Sequence, residues 1–181
     1  MKKEENAMVY TTDYQSPLGT IFLAADEKGL TGLWLEGQKY YASTLPNEEE
    51  TPVLKDTERW LDIYFQGKEP DFMPALHPVG TEFQCAVWEI LRRIPYGRTI
   101  TYGEIAGQLA AQRGVKKMSA QAVGGAVGHN KISIIIPCHR VVGSNGSLTG
   151  YAGGIDKKIA LLKLEKTDMT GFFVPKEGTA L

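Results

Sequence analysis

A proline-rich stretch in the middle of the chain limits how the chain can fold. Residues 67–80 begin and end with glycine, contain three prolines and show little apolar periodicity. Proline removes an amide donor and stiffens the backbone, so we expect a semi-rigid linker here. A sequence of 181 residues suffices for one large or two small domains. We therefore predict an N-terminal domain over residues 1–78 and a C-terminal domain over residues 79–181.

The two predicted domains carry opposite charge. The chain has 20 basic and 21 acidic residues, and a net charge of −1 argues against binding to nucleic acid or membrane through bulk charge. Residues 1–78, however, hold 7 basic and 14 acidic residues, whereas residues 79–181 hold 13 basic and 7 acidic residues. This asymmetry suggests a polyanionic partner for the basic half, although unequal halves also arise for solubility alone.

Composition and cysteine usage exclude several classes of protein. With 43% apolar residues, the chain can bury a core that offsets the entropy of ordering, so we do not expect a disordered protein. No apolar stretch approaches the roughly 20 residues of a membrane span, and the charged N-terminus lacks an apolar signal core. Cys85 and Cys138 lie far apart without a CxxC motif, which favours a reducing, cytoplasmic location over a disulfide scaffold.

Strand-like runs open the N-terminal half. Residues 8–14, 20–24 and 30–35 are rich in β-branched and aromatic residues and are separated by turn signals, which predicts a small antiparallel sheet. The acidic run at 48–50 is typical of a solvated loop. Apolar residues at helical spacing predict a helix over 53–65.

The C-terminal half is mostly helical and contains a helix–turn–helix pattern. The capping boxes Thr81-x-x-Gln84 and Thr101-x-x-Glu104 each predict the start of a helix. Ser119 is placed to cap a short third helix that includes adjacent glycines. Glycine inside a helix costs about 1 kcal/mol relative to alanine, so something must approach this backbone closely. The pattern leaves open whether that is another part of the protein or a nucleic acid.

Cys138 is the candidate nucleophile. We expect residues 132–136, nearly all isoleucine, to form a buried strand that leads into Pro137 and Cys138. Apolar burial alone raises a thiol's pKa and leaves it inert. A turn or helix start at Cys138 would let His139 and Arg140 face the sulfur and lower that pKa. The alternative is a cysteine packed as a small apolar residue, which is our expectation for Cys85.

The remaining segments predict two turns and a helix. Residues 143–146 form a turn signal, 150–154 a glycine-rich loop, and 155–166 a final amphipathic helix with Glu165 in its last turn. The sequence has no phosphate-binding glycine motif and no His/Cys spacing typical of zinc. We therefore expect no cofactor and no metal.

Five motifs in order along residues 81–181 resemble the O6-alkylguanine-DNA alkyltransferases (methylated-DNA–protein-cysteine methyltransferases) of the bacterial type. The motifs are Phe83-Gln84-x-x-Val87-Trp88-x-x-Leu91 with Ile94-Pro95-Tyr96-Gly97, Thr101-Tyr102-Gly103-Glu104-Ile105-Ala106, Ala122-Val123-Gly124-Gly125-Ala126, Pro137-Cys138-His139-Arg140-Val141 and Leu161-Leu162-x-x-Glu165. The resemblance implies an α+β fold, with a ribonuclease H-like N-terminal sheet and helix and a mostly helical, winged helix–turn–helix-like C-terminal domain.

The resemblance also implies a function. The alkyl group on O6 of guanine, or on O4 of thymine, would be transferred irreversibly to Cys138, and each molecule would repair one lesion. The partner would be double-stranded DNA that contains alkylated bases, bound through its minor groove by a monomer with the damaged base flipped out.

Roles for individual residues follow from the matched motifs. His139 would act as the base on the thiol through a water, with Glu165 orienting the imidazole. Asn130 would bridge the turn and the active site, and Tyr102 would donate a proton to the guanine. The residues implied to line the base pocket are Val127, Val141, Tyr151 and Ala152. Those implied to bind DNA are Arg113, Lys116, Lys117, Gln121, Ala122, Gly124 and Gly125.

Two positions depart from the family pattern, and two other functions stay open. Gln121 stands where many members have an arginine that fills the gap left by the flipped nucleotide, and Lys131 replaces a proline. An alkyltransferase-like protein that recognises damage without transfer is one alternative, although those relatives usually replace the cysteine found here as Cys138. A thiol hydrolase or redox protein is the other.

Overall fold

The computed structural model describes residues 8–38 and 49–176. The three predicted strands form one antiparallel sheet in the order β1 (Tyr10–Ser16), β2 (Gly19–Ala25) and β3 (Leu30–Leu35). Ser16 pairs with Gly19 across a tight turn, so β1 lies two residues further along the chain than predicted. The prediction of a small antiparallel sheet is confirmed.

Helix α1 (Pro52–Tyr64) covers this sheet, as the apolar spacing predicts. The Thr51 side chain accepts a hydrogen bond from the amide of Leu54 at 3.4 Å and so begins the helix. The buried residues of α1, which include Leu61 and Tyr64, join the core beneath the sheet. Of the predicted acidic loop, residue 48 lies outside the described residues, and its other two glutamates are exposed.

The proline-rich segment is not a free linker. Residues 67–80 form no helix, as predicted, but the amide of Leu30 donates to the carbonyl of Ala75 at 2.8 Å and the amide of His77 donates to the carbonyl of Leu30 at 2.7 Å. The segment therefore lies along the start of β3. Proline spacing did not reveal this contact because the amides between the prolines remain free to bond.

The C-terminal half contains the predicted helices α2 (Glu82–Arg92), α3 (Tyr102–Arg113) and α4 (Ala120–Gly128). Both capping boxes are complete, with side-chain and backbone bonds in each direction. The Ser119 side chain accepts from the amide of Ala122 at 3.2 Å and begins α4. The last helix, α5 (Ile155–Leu164), ends directly before Glu165.

The predicted strand over residues 132–136 is wrong. These residues form successive turns, in which Ile134 has a φ of 69° and the amide of Ile136 bonds to the carbonyl of Ile132 at 3.0 Å. One isolated bridge joins Ile132 to Leu33 of β3. A short apolar run shows that a segment is buried but does not distinguish a strand from a buried turn.

The chain shares one core between its two halves. A single buried apolar cluster includes Leu33 and Tyr64 from the first half and Trp88, Leu161 and Cys138 from the second. Two short parallel strands, β4 (Ile100–Thr101) and β5 (Val141–Val142), pair beside it. The fold is α+β, as predicted. Within the described residues, every helix is too short or too polar to cross a membrane.

Candidate active site

Cys138 begins a single turn of 3₁₀ helix, Cys138–Arg140, directly after the buried turns. The backbone break that the sequence required at the cysteine is therefore present. The side chain is buried in the shared core. Burial raises the pKa of the Cys138 thiol, although hydrogen bonding from Asn130 and the charge of Lys158 oppose the rise. The resting thiol is therefore protonated at neutral pH, and its reaction requires a base.

The two residues that follow Cys138 both bind Glu165. His139 Nε2 lies 2.7 Å from Glu165 Oε1, and Arg140 donates from Nε to Oε2 at 2.9 Å and from Nη2 to Oε1 at 2.8 Å. The sequence predicts a turn at Cys138 but does not identify Glu165 as the partner of both side chains. The turn at Cys138 directs their side chains to the end of α5.

The carboxylate of Glu165 is ionised despite its burial. Burial raises the pKa of Glu165, but the hydrogen bonds from His139 and Arg140 outweigh burial and lower this pKa to about 2. The amide of Gly97 adds a longer hydrogen bond to Oε2 at 3.4 Å. The imidazole thus faces an ionised carboxylate whose charge Arg140 balances.

The imidazole of His139 is neutral and has one free nitrogen. Burial lowers the pKa of His139, while the neighbouring Glu165 carboxylate raises it. Because a carboxylate can only accept, Nε2 carries the proton in this pair. Nδ1 is buried and has no hydrogen-bond partner among the described residues. It is therefore the atom that can take up a proton.

Two further residues lie among the polar groups around Cys138 and Glu165, which we call the catalytic cluster, and no sequence motif identified them. The Tyr64 hydroxyl of α1 donates to Glu165 Oε1 at 2.8 Å. Lys158 is fully buried, and its Nζ donates to the carbonyls of Val141 at 2.6 Å and Thr149 at 2.9 Å. Burial lowers the pKa of Lys158 to about 8, although Cys138 opposes this change. Helical spacing from Leu161 and Leu162 would have placed Lys158 on the apolar face of α5.

Asn130 and Tyr102 occupy buried positions near the cysteine. Asn130 Nδ2 donates to the carbonyls of Ile136 at 2.7 Å and Ile132 at 3.3 Å, and its Oδ1 accepts from the amide of Ile132 at 3.0 Å. This side chain thus holds the turns that lead into Cys138. The Tyr102 hydroxyl donates to the carbonyl of Thr149 at 3.3 Å, and burial followed by the nearby Cys138 raises its pKa.

The residues implied to line the base pocket are mostly buried. The ring centroid of Tyr151 is 6.4 Å from that of His139. Val141 lies in β5, directly after the 3₁₀ turn, and Ala152 is partly exposed beside Tyr151. Val127 is buried on the inner face of α4 and belongs to the same core cluster as Cys138, Val141 and Tyr151.

Helix α4, the second helix of the helix–turn–helix pattern, has one exposed and one buried face. Gln121, Ala122 and Gly125 are exposed, whereas Gly124 is buried on the inner face. Of the two glycines implied to bind DNA, Gly125 is on the outer face and Gly124 on the inner face, because adjacent helical residues lie about 100° apart. A methyl group added to Gly125 would meet nothing within 4 Å. Packing within the protein thus does not account for this glycine.

The turn between α3 and α4 is basic and exposed. Arg113 donates to Glu82 at 3.2 Å and lies over the ring of Phe83, so a nearby carboxylate balances its charge. Lys116 and Lys117 make no ion pair with any described residue, and they line an open groove of about 840 Å³ beside α3. No group of three or more His, Cys, Asp or Glu side chains in the described ranges is arranged as metal ligands.

Comparison with known proteins matches both halves of the chain. A family model described as "6-O-methylguanine DNA methyltransferase, DNA binding domain" matches residues 82–167, and one described as "6-O-methylguanine DNA methyltransferase, ribonuclease-like domain" matches residues 8–77. The methylated-DNA–protein-cysteine methyltransferase of Methanosarcina acetivorans is 45% identical and covers 87% of this chain and 98% of its own length. The Mycobacterium leprae protein of the same name is 42% identical, covering 88% of this chain and 93% of its own.

Solved structures agree with these matches. The O6-methylguanine methyltransferase of Mycobacterium tuberculosis superposes with a TM-score of 0.74 at 44% identity, covering 88% of this chain and 93% of that chain. A structure of the same organism's protein in complex with DNA gives a TM-score of 0.74 at 44% identity, covering 87% and 92% of the two chains. The predicted ribonuclease-like and DNA-binding halves correspond to the two matched family models.

Proposed function

The chain belongs to the 6-O-methylguanine DNA methyltransferase family, and from this membership we propose that it repairs DNA by transferring an alkyl group to its own Cys138. The donor is O6 of guanine, with O4 of thymine as a second substrate. The product is a thioether, which does not hydrolyse, so the transfer is irreversible and each molecule acts once.

The side chains around Cys138 supply the proton transfers of this reaction. His139 Nδ1 takes the thiol proton through a water, and Glu165 stabilises the resulting imidazolium. The sulfur then attacks the alkyl carbon in line as the carbon–oxygen bond breaks. Tyr102 donates its hydroxyl proton to the departing base. The proton taken from the thiol then restores the Tyr102 hydroxyl, so the overall reaction moves one proton from Cys138 to guanine.

The buried pair of His139 and Glu165 is the observation that carries this assignment. A cysteine that served only as a core residue would not be followed by a carboxylate-bound imidazole with a free, buried nitrogen. Asn130 holds the cysteine turn in place, and the ammonium group of Lys158 favours the thiolate when it forms. The pocket for the flipped base is lined by Val127, Val141, Tyr151 and Ala152.

The outer face of α4 is the surface that meets DNA. Gly125 and Ala122 keep this face low enough to enter a minor groove, and Gln121 fills the gap left by the flipped nucleotide. Lys116 and Lys117 contribute positive charge toward the phosphates, and Arg113 contributes less because it is paired with Glu82. The buried Gly124 supports this face from inside.

The cellular setting follows from the chemistry of the thiol. Cys85 and Cys138 are both free in the structure, and a nucleophilic cysteine needs a reducing compartment, so we place the protein in the cytoplasm. It acts as a monomer without a cofactor, with the domain boundary between residues 78 and 79.

Counting transferred groups tests the proposal. The protein is incubated with an excess of duplex DNA that holds one labelled O6-methylguanine, and label on protein and on DNA is followed to completion. We expect transfer to stop at one methyl group per protein molecule. Continued release of product from each molecule would instead indicate a thiol hydrolase, and tight binding without transfer would indicate a damage-recognition protein.

A further inference from the structure

Helix α1 of the N-terminal half ends inside the catalytic cluster. Its last residue, Tyr64, is fully buried, and its hydroxyl donates to Oε1 of Glu165 at 2.8 Å although 101 positions separate the two residues. Every site residue implied by the sequence lies in the C-terminal half. Tyr64 is thus a direct polar contact from the ribonuclease-like half to the reacting groups.

Tyr64 and His139 bind the same carboxylate oxygen. Oε1 of Glu165 contacts the Tyr64 hydroxyl at 2.8 Å, His139 Nε2 at 2.7 Å and Arg140 Nη2 at 2.8 Å. Oε2 accepts the other two donors, Arg140 Nε and the amide of Gly97. A donor added to Oε1 therefore disperses the charge that this oxygen presents to the imidazole.

The position of the Tyr64 hydroxyl is fixed by packing. Its ring stacks on Trp60 at a centroid distance of 5.2 Å and meets Phe65 edge-on at 5.4 Å, both within the N-terminal half. Tyr96 contacts it edge-on at 6.4 Å from the other half. The hydroxyl is therefore held against Glu165 by the core of the N-terminal half.

We propose that Tyr64 is a positioning residue for alkyl transfer, because its hydroxyl bond to Oε1 of Glu165 sets how strongly the carboxylate holds and charges His139. The inference rests on the proposed function, in which neutral His139 accepts the thiol proton. Without the hydroxyl, the carboxylate favours the imidazolium more strongly, and the pKa of His139 rises. A larger fraction of His139 is then protonated, and unable to act as the base, at every pH near its pKa.

Four other titratable or charged groups among the described residues surround this pair. Those that face Glu165 or His139 are Tyr96, Arg140, Tyr151 and Lys158. The substitution Tyr64→Phe keeps the ring that packs on Trp60 and changes none of these groups. Its effect on the pH dependence therefore reports the hydroxyl alone.

The test is the single-turnover rate of methyl transfer to Cys138 as a function of pH, measured for Tyr64→Phe and for Tyr14→Phe. Tyr14 is a matched control because its hydroxyl, in the same half, donates to Asp62 at 2.6 Å on the surface and not to the cluster. The rate should fall at acidic pH as His139 becomes protonated, and this fall is the acid limb of the pH profile. We expect the acid limb of Tyr64→Phe to lie roughly half a pH unit higher, which is a threefold loss of rate at pH values below the limb. The limb of Tyr14→Phe stays at its original pH.

The amplitude of each reaction separates this effect from simple destabilisation. A purely structural role for Tyr64 would lower the fraction of active protein without moving the pH limb, and that result overturns the inference. An unchanged limb, a shift to lower pH, or an equal shift in both variants also overturns it while leaving transfer to Cys138 intact. If the unsubstituted protein places no methyl group on Cys138, the proposed function itself fails, and the inference fails with it.

Discussion

The buried cluster around Glu165 and the exposed face of α4 differ in whether contacts within the protein account for the residues found there. In the cluster, Glu165 accepts hydrogen bonds from α1, the loop after α2 and the 3₁₀ turn, and each donor has a visible partner. On the face of α4, Gly125 borders only open space. An exposed helical glycine reduces stability by about 1 kcal/mol relative to alanine.

The difference separates two kinds of functional evidence. Glu165 is held by contacts within the protein, so the geometry around it describes the chemistry that the site can perform. The α4 face acquires its meaning only from a partner that approaches the backbone. Substitutions in the first region should therefore change transfer and stability together, whereas substitutions in the second should change DNA binding and stability in opposite directions.

The largest effect is expected for Glu165→Gln. A neutral amide leaves Arg140 buried without its counter-charge and leaves His139 without its carboxylate, so we expect a loss of about 10²–10⁴-fold in transfer rate and about 3–5 kcal/mol in the free energy of unfolding. Single-turnover kinetics and urea unfolding measure these. Glu82→Gln is the control, because its side chain is 91% exposed and its ion pair contributes about 1 kcal/mol or less.

The same residue predicts how stability depends on pH. Because the pKa of Glu165 is lowered from 4.5 to about 2 in the folded protein, its stabilising contribution is fully present above pH 4.5 and is lost as the pH falls toward 2. Between pH 4.5 and pH 2, the free energy of unfolding should therefore decrease less steeply with falling pH for Glu165→Gln than for the unsubstituted protein. Equal slopes would contradict the low pKa.

Lys158→Met should reduce the reactivity of Cys138 by about tenfold, equivalent to one pKa unit. Loss of the buried ammonium group removes a charge that lowers the pKa of the thiol. The rate of thiol alkylation by iodoacetamide, followed against pH, measures this change. Lys157→Met is the matched control, since the adjacent Lys157 Nζ bonds to the carbonyl of Glu36 at the surface; an equal effect in both variants would exclude a specific role for Lys158.

Gly125→Ala should stabilise the protein and weaken DNA binding. The new methyl group meets no protein atom, so we expect a gain of up to about 1 kcal/mol in the free energy of unfolding and a loss of about tenfold in affinity for duplex DNA, or about 1.4 kcal/mol. Thermal unfolding and fluorescence anisotropy measure the two effects. Gly107→Ala in α3, which also faces open space, should give the same stability gain and is the control for that part of the prediction.

The smallest effect is expected at the basic turn. Replacing Lys116 and Lys117 by alanine should reduce the slope of log affinity against log salt concentration by about 0.9 per lysine that contacts a phosphate. Arg113→Ala should change the slope less, because Glu82 already balances its charge. Salt titrations of DNA binding measure these slopes, and an unchanged slope in the double variant would remove the turn from the DNA surface.

Local sequence signals predicted the helices well. The two capping boxes and Ser119 act within four residues of chain, so their hydrogen bonds form as the sequence indicates. Helical phase would also have separated Gly124 from Gly125, since Val123 and Val127 mark the inner face of α4. The run of isoleucines was misassigned because burial of β-branched side chains is common to strands and buried turns.

Contacts between residues far apart in the chain could not be predicted from the sequence. Tyr64 falls on the apolar face of α1 and has the pattern of an ordinary core residue, and only the fold brings its hydroxyl to Glu165. The sequence likewise predicts a turn at Cys138, but not that this turn directs His139 and Arg140 to Glu165. Adjacent positions in sequence determine which residues are near one another but not which atoms their side chains contact.

The most direct test of the account is the identity of the modified residue. The protein and the variants Cys138→Ala and Cys85→Ala are each reacted with duplex DNA that contains O6-methylguanine. Each protein is then digested, and the masses of its peptides are measured by mass spectrometry. We expect one added methyl group on the peptide that contains Cys138, full transfer in Cys85→Ala and none in Cys138→Ala. A methyl group on Cys85, or repaired DNA without a modified Cys138, would contradict the assignment of the nucleophile.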